Sequence, residues 1–506
     1  MNLNWNKVFF REDWKPRSLV RLIVFRRNKT PRRGFLRVVY KRNGMVRPVF
    51  APWLTRAVAP APPSQAAPEA VLPEIKVLSQ LQPVADQAEG WKRAGKLVSP
   101  MRAEDVLQHL ERVRGQWVLI SVSHDNYKQV PGGVQVCLMR EQELVTKSGR
   151  HFLNIHPVQP LPCLASPDET DTAVMLLIDG ETAGACLMSD LIAAIGTLAQ
   201  ADTLTRFSLT IHHLLGHNPE QITQLGAHIA SEDTVLWLHD YFTICPGYKL
   251  LRNDLAYCGA PDVTSNACGL CAYGEERVRH LPRIQHLFER LSPTVLAPSE
   301  FTRDLWQARA GLTAAKTLAV PHLTLNWQAR CETRTEKAAS RIRIGFLGTP
   351  ARHKGWPIFE DLAHNTALSD KFAFVSFFKS KRKSKIRNVP IQLTPEQPNA
   401  MAEAVAAEKI DLVLHWPQWP ETFALTAYEA YQGGASLITN TVSGNVAATV
   451  EAMGRGVVLQ DEDELLRFLT SDAVDSLVAQ VRAERAAFEV SASSSQLSLS
   501  VLEGKA

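Results

Sequence analysis

Ile410-Asp411-Leu412-Val413-Leu414-His415-Trp416 is followed by Pro420-Glu421-Thr422-Phe423-Ala424-Leu425-Thr426-Ala427-Tyr428-Glu429-Ala430-Tyr431-Gln432-Gly433-Gly434, and then by Ala435-Ser436-Leu437-Ile438-Thr439. An apolar run, a helical segment closed by two glycines and a second apolar run make a β–α–β unit, the building block of a parallel sheet buried on both faces. Glu421 falls at the mouth of the helix and Glu429 two turns inside it. A carboxylate just past the carboxyl end of a buried strand lies where open α/β sheets take ligands. The helix beginning near Ala424 aims free N–H groups and its positive dipole end at the same crevice, which suits a diphosphate.

The same alternation extends outward on both sides. Apolar runs at 117–122, 173–178, 207–211, 235–238, 295–297 and 317–320 read as one set of parallel strands, and those at 342–347, 372–377, 410–414, 436–439 and 456–459 as a second. A chain of 506 residues exceeds what a single core organises. Two doubly wound, Rossmann-like α/β domains are therefore expected, at 101–326 and 327–490, with a polar hinge over 326–340 and a flexible tail over 491–506. A helix is expected over 103–114, ahead of the first strand.

The amino-terminal part is different. Residues 1–56 carry 15 Lys and Arg against two acids, Glu12 and Asp13, a balance of +13 within a whole-chain charge of +5, which leaves the other 450 residues at −8. Three apolar-basic segments starting at Val8, Ile23 and Val38 recur every 15 residues, each trailed by Arg17, Arg32 or Arg47. A repeated unit of apolar side chains flanked by cations suits an anionic membrane surface or an anionic partner; a solvated tail docking on the acidic body is the alternative. No nucleic-acid motif accompanies the charge. Residues 57–100, rich in Ala and Pro, read as a semi-rigid linker. No apolar run reaches the length of a membrane span, the candidate at 184–200 being broken by Asp190, and no signal peptide opens the chain. A cytoplasmic protein, attached peripherally to the inner membrane face through its basic head, is the expectation.

Further motifs sit at strand ends. Gly345-Phe346-Leu347-Gly348-Thr349-Pro350-Ala351-Arg352-His353-Lys354-Gly355-Trp356 follows a strand and precedes a helix, where glycines let backbone approach phosphate and Lys354 offers a point charge. His124-Asp125-Asn126-Tyr127 and Pro131-Gly132-Gly133 lie between the first strand and a helix, and Trp237-Leu238-His239-Asp240 ends another strand. His239 reads as a ligand-facing group or as a satisfied structural histidine. Thr441-Val442-Ser443-Gly444-Asn445-Val446 is a glycine turn that needs its Gly for a ligand or for the turn alone. A basic run from Lys379 to Arg387 marks either a cleft rim or a solvated loop.

Together, the glutamates eight residues apart, Lys354-Gly355 opening a helix and the early glycine pair resemble the family-4 retaining glycosyltransferases of the GT-B fold, over residues 116–488. The resemblance implies that Glu429 binds the ribose hydroxyls of a nucleotide and Glu421 a hydroxyl of the donor sugar. Lys354 and Arg352 would face the leaving diphosphate beside Gly348 and Thr349, with Thr349 standing where the family commonly has Arg. Gly444, Asn445, Gly132 and Gly133 would offer backbone to sugar or phosphate. His239 would donate to a sugar hydroxyl or help place the acceptor, and Asp240 would contact the acceptor or orient His239. It implies catalysis on a nucleotide-diphosphate sugar with no required cofactor, and a glycan or lipid-linked acceptor in surface polysaccharide assembly such as lipopolysaccharide. The alternative is a non-catalytic scaffold of the same fold.

Cys245, Cys258, Cys268 and Cys271 cluster in an insertion, 245–271, with Cys268 and Cys271 at metal-ligand spacing. Four thiolates suit a closed structural zinc site; buried reduced thiols are the alternative.

Overall fold

The computed structural model describes residues 83–94, 98–130, 132–330, 341–378, 386–391, 397–494 and 497–504. The basic repeats, most of the Ala/Pro stretch, Pro131 and residues 379–385 of the basic run lie outside them. The chain divides into units 1–79 and 80–506, and the second is described here.

Its first sheet contains β1 Trp117–Val122, β2 His151–Pro157, β3 Ala173–Ile178, β4 Glu181–Leu187, β5 Arg206–Ile211 and β6 Thr234–Trp237. After a small hairpin of β7 Leu251–Arg252 and β8 Ala256–Tyr257 come β9 Thr294–Ala297 and β10 Lys316–Ala319, giving the order β10-β9-β6-β5-β1-β2-β3-β4. Six strands run parallel. The 173–178 strand, expected parallel, instead pairs antiparallel with β2 and β4. The connection from β3 to β4 turns through Asp179 (φ 52°) and Gly180 (φ 87°), too short for the crossover a parallel partner requires.

A seven-residue strand, β11 Leu323–Ala329, leads out of the first domain. The second sheet is β12 Ile342–Leu347, β13 Phe372–Phe377, β14 Arg387–Val389, β15 Leu412–Leu414, β16 Ser436–Asn440 and β17 Gly456–Leu459. All its strands are parallel, in the order β14-β13-β12-β15-β16-β17. In chain sequence that is 3-2-1-4-5-6, the doubly wound order of dinucleotide-binding domains, with its switch point between β12 and β15. The opening β–α–β unit forms half of that switch. Two Rossmann-like sheets presenting strand ends to each other make this an α/β protein of GT-B architecture.

The boundary expected at 326/327 falls inside β11, which pairs antiparallel with β18 Phe488–Ser494 along its whole length, Leu323 opposite Ser494 and Ala329 opposite Phe488. The first four residues of the segment expected as a flexible tail, 491–494, thus belong to β18, and Leu497–Leu502 forms a helix whose Leu499 and Leu502 are buried with Trp237, Leu138 and Leu296 of the first domain. Its apolar i, i+3 spacing explains the docking. The expected linker likewise contains a helix, Val84–Ala94, burying Val84 and Ala88 beside Cys163. The 103–114 helix appears as Ala103–Leu110 followed by one 3₁₀ turn.

Candidate functional site

On the second-domain side, backbone geometry gathers the charges. Gly348 (φ 86°) ends β12, and a Cβ there would lie 3.6 Å from Thr426, so this loop touches the first turn of the helix Leu425–Gln432. The 3₁₀ turn Arg352–Lys354 closes on Gly355 (φ 83°), where a Cβ would stand 2.2 Å from the carbonyl oxygen of Trp416. Only glycine allows that approach, and it sets Lys354 beside the end of β15. The positive charge of Lys354 accordingly acts on Glu421, Glu429, His353 and His415. Thr349 and Arg352 are exposed.

Glu421 is held by its main chain. Its N–H donates to Ser443 O (3.2 Å) and its carbonyl accepts from Asn445 N–H (3.0 Å). A Cβ on Gly444 (φ 66°) would meet that carbonyl at 2.8 Å, so both the turn and the close approach demand glycine. The carboxylate is buried, its Oε1 finds no protein partner, and burial raises its pKa against the pull of Lys354. Glu429 is pushed up to about 7 by burial, opposed by Arg140 and Lys354. A buried carboxyl oxygen without a donor costs about 1–3 kcal/mol.

On the first-domain side, Gly132 and Gly133 open the helix Gly133–Lys147. A Cβ on Gly132 would strike Gln135 Oε1 at 2.1 Å, because that side chain folds back to donate to Asp125 (2.7 and 2.9 Å). Gly133 faces the other domain: its Cβ would lie 3.9 Å from Leu425. Two turns along the same helix, Arg140 keeps a buried Nη1 without a partner, and its charge reaches Glu429. Glu141 is fully buried and accepts from His212 Nε2 (2.6 Å) and from Ser498 N–H (3.2 Å). His212 Nδ1 lies 2.9 Å from His239 Nε2.

His212 thus bridges Glu141 and His239, and Nδ1 of His239 donates or accepts according to which tautomer the pair adopts. Burial, then the neighbouring histidines, hold the pKa of His239 well below the usual imidazole value. Asp240 does not orient His239; it accepts from His213 Nε2 (2.9 Å), and His213 Nδ1 accepts from Leu215 N–H (3.0 Å).

The two sides meet directly. Thr422 Oγ1 donates to His239 O (2.6 Å), and Thr422 O accepts from Ser299 Oγ (2.9 Å) and Thr302 Oγ1 (3.2 Å). Trp419 sits in the first domain's core, edge-on to Tyr241 with centroids 6.3 Å apart. The helices starting at Gly133, Leu425 and Asn445 lack a side-chain cap, as do those starting at Ala103, Met188, Gly274, Trp356, Ala400 and Ala473. Uncapped N-termini around one cleft leave amides for an anion. Arg140, Glu141, His212 and Lys249, whose charge also acts on Glu421, escaped the sequence reading. The spacing of Arg140 after the glycine pair was the one available signal.

Among the described residues, one group of metal-type donors lies within 4.8 Å of one another: Cys137, His239 and His322. Cys245, Cys258, Cys268 and Cys271 do not form such a group, although all four line one cavity in the insertion. A zinc tetrahedron with Zn–S bonds of about 2.3 Å needs its sulfurs about 3.8 Å apart.

No family model matches the sequence, and no curated protein matches it. Solved structures do. HepE of Anabaena in complex with UDP-glucose is 13% identical, with 73% of this chain and 93% of that chain covered at a TM-score of 0.42. A glycosyltransferase from Rickettsia africae ESF-5 gives 10% identity, the same coverages and the same TM-score. The catalytic domain of starch synthase IV from Arabidopsis thaliana, bound to ADP and acarbose, gives 10% identity, 74% and 95% coverage and a TM-score of 0.37. Among the described residues no helix is long and apolar enough to cross a membrane.

Proposed function

We propose that this chain is a retaining glycosyltransferase that moves a sugar from a nucleotide-diphosphate donor to a glycan or lipid-linked glycan acceptor in surface polysaccharide assembly. The observation that carries this reading is that the charge of Lys354, set beside the end of β15 by Gly355, reaches both Glu421 and Glu429 at the switch point of a 3-2-1-4-5-6 sheet. Glu429 takes the ribose hydroxyls and Glu421 a hydroxyl of the transferred sugar. Gly348, Thr349, Gly444 and Asn445 line the phosphate and sugar positions, and Lys354, Arg352 and Arg140 meet the diphosphate.

The chemistry is positioning plus charge stabilisation. An acceptor oxygen bonds to the anomeric carbon on the face from which the diphosphate departs. The carbon–oxygen bond to phosphate breaks, and the acceptor's proton passes to a departing phosphate oxygen. Lys354, Arg140 and the helix amides balance the charge that develops there, and His239 hydrogen-bonds a hydroxyl to hold donor or acceptor. The basic repeats in 1–56 attach the enzyme to an anionic membrane surface, where a lipid-linked acceptor grows.

Titration calorimetry of the full chain against UDP-, GDP-, ADP- and dTDP-sugars tests the donor site. Binding to one nucleotide class is expected, weakened at least tenfold in Glu429→Ala and Lys354→Ala. Absence of binding across the set, with a cooperative melt showing folded protein, would favour a non-catalytic scaffold. Co-sedimentation with phosphatidylglycerol vesicles, lost when Arg26, Arg27, Lys41 and Arg42 are replaced by Glu, tests the attachment.

A further inference from the structure

Along the helix Gly133–Lys147 the fully buried stripe runs Leu138, Glu141, Val145, the three- and four-residue steps of an apolar face with a carboxylate in the middle. Glu141 has none of its surface exposed, and the His212 side chain that meets it from the end of β5 has 1%. Both carboxyl oxygens are occupied. Oε2 lies 2.6 Å from His212 Nε2, and Oε1 accepts from Ser498 N–H (3.2 Å). Ser498 is buried as well, its hydroxyl accepting from Trp237 Nε1 (2.8 Å), so the carboxyl-terminal helix closes over the pair.

Charge decides how many protons this pair holds. Among the described residues Glu141 has no Lys or Arg at ion-pair distance. Arg140, next to it in the chain, has its charge acting on Glu429 and His322. A carboxylate beside a neutral imidazole would therefore leave a net negative charge in the interior, which a low-dielectric surrounding penalises heavily. One further proton cancels it, as an imidazolium facing a carboxylate, and the short contact between Oε2 and Nε2 suits such a charge-assisted bond.

The next link follows from valence. His212 Nδ1 lies 2.9 Å from His239 Nε2. When Nδ1 of His212 carries a proton it donates to that nitrogen, and the single proton of a neutral His239 is left on Nδ1. His239 stays neutral because burial, and then His212, His322, His213 and His124, oppose a second proton, while the Cys137 thiol beside it, pushed up to about 12 by burial, adds no anion. We propose that Glu141 and His212 are positioning residues: together they retain one proton more than a carboxylate and a neutral imidazole hold, and thereby fix His239 as a hydrogen-bond donor through Nδ1. The ligand atom it meets is then an acceptor, a hydroxyl, ring or phosphate oxygen; that this oxygen belongs to a sugar nucleotide or its acceptor rests on the transferase reading. His239 is half-buried where His212 and Glu141 are buried, and Thr422 Oγ1, donating to His239 O (2.6 Å), holds its main chain where the two sheets meet.

Nitrogen-15 NMR of the full chain labelled at histidine reads these protons directly, because a ring nitrogen bearing hydrogen resonates far from one bearing a lone pair. Spectra are recorded at neutral pH with EDTA, which keeps Cys137, His239 and His322 free of metal. Protons on Nδ1 of both His212 and His239, with Nε2 of His239 bare, are expected. Glu141→Gln removes the charge that holds the extra proton, so the His239 proton is expected to move to Nε2 in that variant. Wild-type rings with Nδ1 of His212 bare and the His239 proton on Nε2 would overturn the proposal, and so would a folded Glu141→Gln chain in which His239 keeps its proton on Nδ1. His212→Gln and His239→Gln assign the two rings; where one does not fold, correlations from ring to backbone in the wild-type chain serve instead, and the wild-type spectrum decides. Sugar-nucleotide binding is measured on the same sample, and its absence with the ring protons placed as expected counts against the transferase reading alone.

Discussion

At the scale of single residues, Glu429 makes the most direct forecast. Burial lifts its pKa to about 7, from an unfolded value near 4.5, so between those pH values the folded chain binds more protons than the unfolded one. Stability therefore falls as pH rises through this window, by on the order of 3 kcal/mol at 1.36 kcal/mol per unit. Glu429→Gln, which cannot ionise, is expected to melt several degrees higher than wild type at pH 8 and at the same temperature at pH 4. If Glu429 takes the ribose hydroxyls as proposed, sugar-nucleotide binding has the opposite sign, because those hydroxyls donate to the carboxylate: affinity should drop nearly tenfold from pH 8 to pH 6, and the Gln variant should show a flat profile. A sugar nucleotide is the right probe, since its diphosphate does not titrate there. Gly355 gives a backbone counterpart. Alanine would hold φ at 83° and collide with Trp416 O, costing about 2–4 kcal/mol by urea denaturation and shifting Lys354 with it.

At the scale of elements, legibility followed burial. Strands 117–122 and 342–347 were readable because both faces are buried and the apolar run is continuous. β2 was missed because His151, Asn154 and His156 interrupt its pattern, and their polarity is explained only in three dimensions, by Asp179, Ser121 and Pro157 O as partners. β18 was missed for a similar reason: Glu489 and its serines give a half-exposed strand whose partner, β11, lies more than 150 residues earlier. The glutamates and glycines of the site were legible since each answers a local demand of a turn or helix start. Arg140 and the chain Glu141–His212–His239 were not, because they join a helix to two strand ends far apart in sequence. The carboxyl-terminal helix depends on the same pairing. Leu502→Ala, deleting side-chain contacts against Trp237 and Leu138, is expected to cost about 2–3 kcal/mol. Glu141→Gln, replacing a buried carboxylate that accepts from both His212 and Ser498, should cost about 1.5–3 kcal/mol. Equilibrium urea melts of both variants check these values, and a change below 0.5 kcal/mol in either would remove the helix from the structural core.

At the scale of the whole molecule, the two sheets are joined by a residue from one lodged in the core of the other. Trp419 follows β15, yet its ring is buried among the side chains of the first domain, while Thr422 bonds to the main chain of His239. The proposed donor site inherits that dependence, because Glu421 and Lys354 come from one sheet and Arg140 and Gly133 from the other. Trp419→Ala should remove about 3–5 kcal/mol of packing, which lets the halves separate part of the time. If the donor needs both halves, its apparent dissociation constant rises by the reciprocal of the fraction still closed. Glu429→Ala, by contrast, should weaken binding without lowering the melting temperature of the unliganded chain. Calorimetric binding and thermal melts of the two variants side by side separate these cases. A Trp419→Ala chain that melts early yet binds the sugar nucleotide with wild-type affinity would place the whole donor site on the second sheet and leave Arg140 outside it.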